Sequence, residues 1–364
     1  MTAPRTFALR RCRPSTTPIC RPGIKTIDDL RNHLQVALEL EHSTIPPYLC
    51  ALYSIHDGAN VTASKLIRSV VMEEMLHMVL AANLLNAIGG TPLVDDPAFI
   101  PEYPTFLPNS DDAFCVHLLP FGQEALEIFR RIEKPEKLSG TPHPDKYSTI
   151  GEFYAAIWQG FEYLAGTKDS KGAIGADALF VGDRTKQVHG DAWYYGGGGK
   201  PIEVFDMATA RHAIDEITEQ GEGYDHSLFD HDDQFGEANE LAHYFRFTEI
   251  ALERRFVSTD NPARAEPTGG VLLVDWSARY PMMPNPKAAD FIDQPDVHAM
   301  MVAFNKQYTA LLRALHEAFN GNPAALMGAV PIMYDLKYRA QALMAVPSGA
   351  ADGTTVGPSF EYAP

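Results

Sequence analysis

The chain has 364 residues, 45% hydrophobic and 21% charged, an ordinary globular composition with enough length for one enlarged domain or two. Its 30 Lys and Arg against 47 Asp and Glu leave a net charge of −17, which argues against nonspecific binding to nucleic acid or to an anionic membrane surface. No stretch of 18 uncharged apolar residues occurs, so no membrane span is expected.

Residues 1–25, rich in Pro, Arg and Thr, read as a flexible N-terminal arm without the apolar stretch of a secretory signal. The cysteines, Cys12, Cys20, Cys50 and Cys115, form no CxxC pair and are expected as reduced thiols of a cytoplasmic protein. The main domain is expected over 26–346. Its first helix, 26–55, is capped by Thr26, carries Asp28 and Asp29 in its first turn and sets Leu30, Leu34, Ala37, Leu38 and Glu41 on one face. Pro46 and Pro47 predict a kink or a short break in it. A second helix, 63–90, stops at Gly89-Gly90. Loops fill 91–145 around a short helix at QEALEIFRRIEK. Further helices are predicted at 149–165, at 206–223 behind the cap candidate Asp206, and at 237–256, 296–321 and 323–346. A short hairpin is expected within 166–205 and a small polar tail over 347–364.

The second helix carries three polar side chains, Glu73, Glu74 and His77, inside the apolar run VVMEEMLHMVLAANLL. Charge in that setting costs several kcal/mol, on the order of the buried-ion penalty, unless it is paired or metal-bound. Glu74-x-x-His77 has a counterpart in Glu240-x-x-His243, and an i, i+3 pair on one helical face can reach one ion. Glu39-x-x-His42 also matches; roughly one such pair arises by chance in a chain with this many histidines, so a single match means little. Position gives the pairs weight, because each follows a helix rich in carboxylates. Four helices supplying one Glu from each of two, and Glu-x-x-His from each of the others, make the ligand set of di-iron and di-manganese bundles. Carboxylates neutralise and bridge two hard cations, and imidazole adds a neutral donor while leaving positions open.

Glu41 continues the stripe of Leu34, Ala37 and Leu38, whereas Glu39 points off it and His42 falls near it. In 206–223 the apolar face is set by Met207, Ala210, Ala213, Ile214 and Ile217. Glu216 and Glu219 then point away, and a one-residue π-bulge near Gly221 would bring Glu222 onto the face. Glu222 is the preferred donor, with Glu219 in reserve.

The segments HLQVALELEHSTIPPYL, VVMEEMLHMVLAANLLNAIGG, AIDEITEQGEG and ELAHYFRFTEI resemble the bacterial ferritin-like family that includes the iminophenyl-pyruvate dimer synthase domain, found also in larger enzymes of violacein and rebeccamycin assembly. YPMMPNP and the last two helices share the likeness, which extends over about 26–346. The resemblance implies an all-α ferritin-like four-helix bundle with long inserted loops and additional C-terminal helices. It also implies a bound metal and oxidative chemistry on an aromatic amino-acid-derived imine in specialised metabolism. By match to the family's segments, Glu41, Glu74, His77, Glu222, Glu240 and His243 would be the metal residues. The cofactor expected is dinuclear iron, or alternatively manganese. No haem attachment motif is present.

Tyr48, Tyr53 and Tyr244 are candidates for lining the site, with ordinary packing as the plainer reading. His189 and WYYGGGG read as surface turns or a substrate mouth, and Asp230, His231, Asp232 and Asp233 as a solvated loop or a second cation site. Met282, Met283, Met300 and Met301 read as adaptable core or pocket lining. The expected partners are a small organic substrate and oxygen or peroxide, with a homodimer possible and neither nucleic acid nor membrane. The competing reading is a ferroxidase, iron-buffering or peroxide-protecting protein.

Overall fold

The computed structural model describes Arg5, Phe7 and residues 10–13, 23–108, 110, 114–135, 147–167, 171–190, 198–223, 227–230 and 240–364. Among them nine α-helices and no strands occur: α1 Ile27–Ser54, α2 Val61–Ala87, α3 Gln123–Ile132, α4 Ile150–Ala165, α5 Ala176–Leu179, α6 Met207–Glu222, α7 His243–Ala251, α8 Pro295–Phe319 and α9 Ala325–Met344. The expected hairpin within 166–205 is absent among the described residues of that stretch.

Local chemistry sets the helix starts. Thr26 and Asp29 close a reciprocal capping box on α1, and Asp206 and Thr209 close another on α6. The break expected at Pro46 and Pro47 does not occur: α1 runs unbroken through both. Pro47 has no N–H for the carbonyl of Ser43, four residues back. The buried Tyr103 hydroxyl donates to that carbonyl instead, at 2.7 Å.

Side-chain contacts fix the helix directions. Arg31 reaches the Ile88 carbonyl at 2.8 Å and Thr44 reaches Glu74 at 2.8 Å, so α1 and α2 are antiparallel. The N–H of Phe121, just before α3, bonds Ser54 at 2.7 Å. Phe129 meets Tyr48 at 4.6 Å and Phe153 of α4 meets His33 at 5.9 Å. Thus α3 and α4 together form one rod antiparallel to α1, interrupted at 133–149. In the same way Gln220 of α6 meets His77, while His243 and Arg246 of α7 meet Glu73 and Ser69. These two helices are a rod antiparallel to α2, interrupted at 223–242. Contacts α1–α2, α2–α6, α2–α7, α4–α6, α3–α7, α1–α4 and α1–α3 close the four rods into a bundle. Residues 88–122 form its long crossover, the ferritin-like connection. Both broken rods are interrupted at the level of Glu41 and Glu74.

The α8–α9 hairpin covers the outer face of α1 and α2. The apolar window of α2 is long enough for a bilayer, but 89% of it is buried inside the protein, as in a central core helix. Two expectations are corrected here. The helix predicted at 237–256 shrinks to α7: Leu241 instead bridges to Phe229, and residues 237–239 lie outside the described set. Cys12 and Cys115 are joined in a disulfide across 103 residues and are not reduced thiols; Cys50 is a buried thiol, and Cys20 lies outside the described residues. The described residues of the arm expected at 1–25 are docked: Phe7 packs on Phe291, and Arg10 pairs with Asp290 at 2.5 Å. The 347–364 segment is likewise held, with Val356 and Phe360 buried.

Candidate metal centre

Glu41 lies midway along α1, and Glu74 and His77 lie one turn apart on α2; each is at most 2% exposed. The two interrupted rods face them with Glu133, which ends α3, and His243, which opens α7. Donor atoms of Glu41, Glu74 and His77 all lie within 4.8 Å of one another, and so do those of Glu74, Glu133 and His243. Glu74 belongs to both sets. Two triads sharing one carboxylate are suited to a pair of cations with Glu74 between them.

Each donor is held by an outer partner. Tyr154 donates to Glu41 at 2.5 Å and Thr44 to Glu74 at 2.8 Å, while Tyr48 donates to Glu133. Gln220 donates its amide to Glu216 at 2.9 Å, which turns its carbonyl toward His77 Nε2 at 3.0 Å. That contact asks Nε2 to carry the proton and leaves Nδ1 facing Glu41 at 3.4 Å and Glu74 at 3.8 Å. His243 repeats the pattern: Nε2 donates to Glu73 at 2.8 Å, and Nδ1 lies 2.9 Å from Glu74 and 3.5 Å from Glu133. Glu73 is in turn held by Arg246 at 2.6 Å. Carboxylate or amide partners of this kind set the orientation and tautomer of a ligating imidazole.

The electrostatics are those of a site short of positive charge. Burial, then the nearby Glu133 carboxylate, push Glu74 up to about 7. Burial works against a charged His243, but Glu133, Glu73 and Glu74 together raise it well above the usual histidine range. Burial opposes a charged His77 as well, but Glu41 and Glu74 together raise it above the usual histidine range. Burial opposes ionisation of Glu73 too, yet Arg246 and His243 hold it down to about 2. Protons therefore stand where cations would neutralise the cluster. The buried Nδ1 of His243 makes no aligned hydrogen bond although two carboxylate oxygens are near. This orphaned donor and the hard, mixed carboxylate–imidazole set fit iron or manganese.

Four of the six expected residues, Glu41, Glu74, His77 and His243, meet here. Glu240 does not: residues 240–242 are not helical, so Glu240 and His243 share no helical face, and the half-exposed Glu240 carboxylate turns to Arg246 at 3.3 Å. Glu222 ends a regular α-helix without the supposed bulge. Its carboxylate accepts the Gly151 N–H at 3.0 Å and lines a narrow cleft beside Glu41, Glu74, His77 and Glu133, about 310 Å³ with its open mouth included, outside both triads. A Cβ on Gly151 would sit 2.4 Å from Glu222 Oε1, so any larger residue there would displace that carboxylate. Glu219 is half-buried and outside the cluster. Glu216, expected to point away, is 4% exposed, because Gln220 draws it inward. Glu133 was missed, although its signal is visible: it lies four residues after Phe129 and seven after Leu126, on the buried face of α3.

Of the other candidates, Tyr48 reaches the site, Tyr53 lines a different cavity, and Tyr244 packs on Phe245. His189 is exposed, and 193–197 of WYYGGGG lie outside the described residues. Gly199, at φ +84°, passes so close to Glu216 that a Cβ would sit 2.1 Å from its oxygen. Asp230 is buried beside Arg246 at 3.5 Å; His231, Asp232 and Asp233 lie outside the described residues.

A broken four-rod bundle with carboxylate and imidazole donors at its centre is a ferritin-like architecture. The ferritin-like family profile matches residues 34–252, more than half of the chain, and the chain belongs to that family. A ferritin-like protein from Caulobacter vibrioides has the same fold, with a TM-score of 0.60 over 93% of this chain and 100% of its own, at 24% identity. Dichlorochromopyrrolate synthase of Lentzea aerocolonigenes is 30% identical over 321 residues, 80% of this chain and 29% of its own. The 2-imino-3-(indol-3-yl)propanoate dimerase of Chromobacterium violaceum is 27% identical over 382 residues, 92% of this chain and 34% of its own. The chain thus spans about a third of the length of these curated relatives.

Proposed function

We propose that the chain is a metal-dependent oxidase or oxygenase that acts on a small aromatic imine derived from an amino acid, in specialised metabolism. The observation that carries this reading is the pair of donor triads sharing Glu74 beside a narrow cleft that opens to solvent. A bundle that only stored metal has no use for a shaped cleft walled by Ile132, Ile150 and Ile217 against its donors. The substrate class comes from the two relatives, one named for an indole-bearing imine and both for a biosynthetic reaction.

Glu41, Glu74, His77, Glu133 and His243 would hold two iron ions, or manganese, and such a pair supplies redox equivalents and positions for oxygen or peroxide. The isoleucine walls exclude water from the reacting end. Tyr154, Tyr48 and Thr44 fix the carboxylates through hydrogen bonds, and Gln220 and Glu73 hold each imidazole with Nδ1 turned inward. Glu222, beside the cavity at the start of α4, is placed to exchange a proton with a bound substrate. A homodimer and a cytoplasmic location are also proposals; the Cys12–Cys115 disulfide opposes the second, because such bonds are rare in reducing compartments.

Elemental analysis of the purified protein, followed by oxygen-uptake assays with an enzymatically generated indole-3-pyruvate imine, tests the reading. The expected result is two iron or manganese ions per chain and uptake that depends on both metal and imine. Stoichiometric metal with uptake on ferrous iron alone would favour storage, and absence of metal after reconstitution would end the metal-centre assignment.

A further inference from the structure

A second cavity lies on the far side of the α1–α2 layer from the metal centre, beneath the α8–α9 hairpin. Its non-atom space, the open mouth to solvent included, is about 910 Å³, and only a small part of that is closed off from solvent, room for a compact small molecule. Its lining carries no charged side chain. Leu49, Leu312 and Phe319 form its rigid walls, and Met72, Met75 and Met333 add flexible, polarizable surface that adapts to flat aromatic shapes.

One polar feature stands out in this apolar wall. His42 is 3% exposed and lines the cavity. Its Nε2 is engaged by the Tyr308 hydroxyl at 2.5 Å, and one ring face meets Phe99 at 4.6 Å. Its Nδ1 is buried with no hydrogen-bond partner. A buried polar atom without a partner is costly, and native proteins rarely leave one without a use. The helix turns about 100° per residue, so Glu41 faces the metal centre and His42 this cavity. Nothing here would neutralise a carboxylate or an ammonium group, so a charged amino-acid-derived molecule does not suit it. The space is also too small for a docked helix, which is about 10–12 Å across with its side chains.

We propose that this cavity binds an uncharged, largely hydrocarbon molecule of one or two aromatic rings, whose single hydrogen-bonding group meets His42 Nδ1. The site takes a different chemical class from the metal centre and stands independently of the function proposed for that centre.

The test uses two uncharged naphthalene fluorophores on the full chain. N-phenyl-1-naphthylamine offers an N–H donor, and 6-acetyl-2-dimethylaminonaphthalene offers a carbonyl acceptor. Both should show saturable, blue-shifted emission at one site per chain, and the probe that suits the His42 tautomer should bind more tightly. His42→Leu keeps the volume and removes the nitrogen, and should shift the ratio of the two affinities about tenfold. Filling the wall by Val330→Trp, or by Ala329→Trp as a second variant, should abolish binding of both probes while the circular dichroism stays native. Unsaturable emission, full binding in natively folded wall-filled variants, or an unchanged affinity ratio in His42→Leu would each overturn the proposal.

Discussion

Glu133 and Glu240 separate two readings of the centre. Glu133 is buried among the donors and is held by Tyr48, whereas Glu240 is half-exposed and faces Arg246. Glu133→Gln should therefore remove about half of the bound metal, and Glu240→Gln should leave the stoichiometry unchanged, both read by elemental analysis; the reverse result would restore the Glu-x-x-His reading of the sequence. Gln220 reaches the donor cluster through His77. Gln220→Leu should weaken metal binding by roughly 10–100-fold, the usual effect of losing an outer partner, without lowering the melting temperature of the metal-free protein to a similar degree. The pH dependence follows from the raised groups. Glu74, near 7, and the raised His77 and His243 hold protons in the metal-free cluster below their titration, and metal must displace them. Affinity should therefore fall as pH drops through about 7, by ~10-fold per unit for each proton displaced. Calorimetric titration with manganese between pH 6 and 8, in buffers of different protonation enthalpy, measures both the slope and the released protons. A flat profile would show that the cluster is not the binding site.

At the level of elements, the two interruptions decide the site. Glu133, at the C-terminal end of α3 and in register with Leu126 and Phe129, faces the donors, and the start of α4 presents the Gly151 N–H to Glu222. The first rod shows the opposite solution. Two prolines would ordinarily open α1, but Tyr103, carried on the crossover, supplies the bond that Pro47 cannot. Tyr103→Phe should destabilise the protein by about 1–3 kcal/mol, because it leaves a buried carbonyl without a partner. Urea unfolding monitored at 222 nm measures this, and an unchanged midpoint would mean that α1 does not depend on the contact.

For the whole molecule, the crossover is fastened by several contacts, among them Tyr103 on α1 and the Cys115–Cys12 disulfide to the arm. A bond closing about a hundred residues stabilises mainly by restricting the unfolded chain, by about 3–5 kcal/mol. Cys12→Ser, or reductant on the native protein, should lower the melting temperature measurably; identical melting curves with and without reductant would show that the cysteines are not joined in solution. The same result bears on compartment, since a protein isolated with both thiols free would fit the cytoplasmic proposal.

Local order was the part most readable from the chain. The caps at Thr26 and Asp206, the stop at Gly89-Gly90 and the apolar stripe leading to Glu41 are short-range effects, settled by neighbours a few residues apart. Glu74 and His77 belong with them, because polar groups inside one greasy helix advertise a shared purpose without reference to any other segment. The choice of Glu133 over Glu240, the running of α1 through its prolines, the inward turn of Glu216 and the joining of Cys12 to Cys115 were decided only by tertiary structure. Each depends on groups that meet across long stretches of chain, and a carboxylate's surroundings in three dimensions, more than its place in a motif, determine whether it faces a cation or a guanidinium.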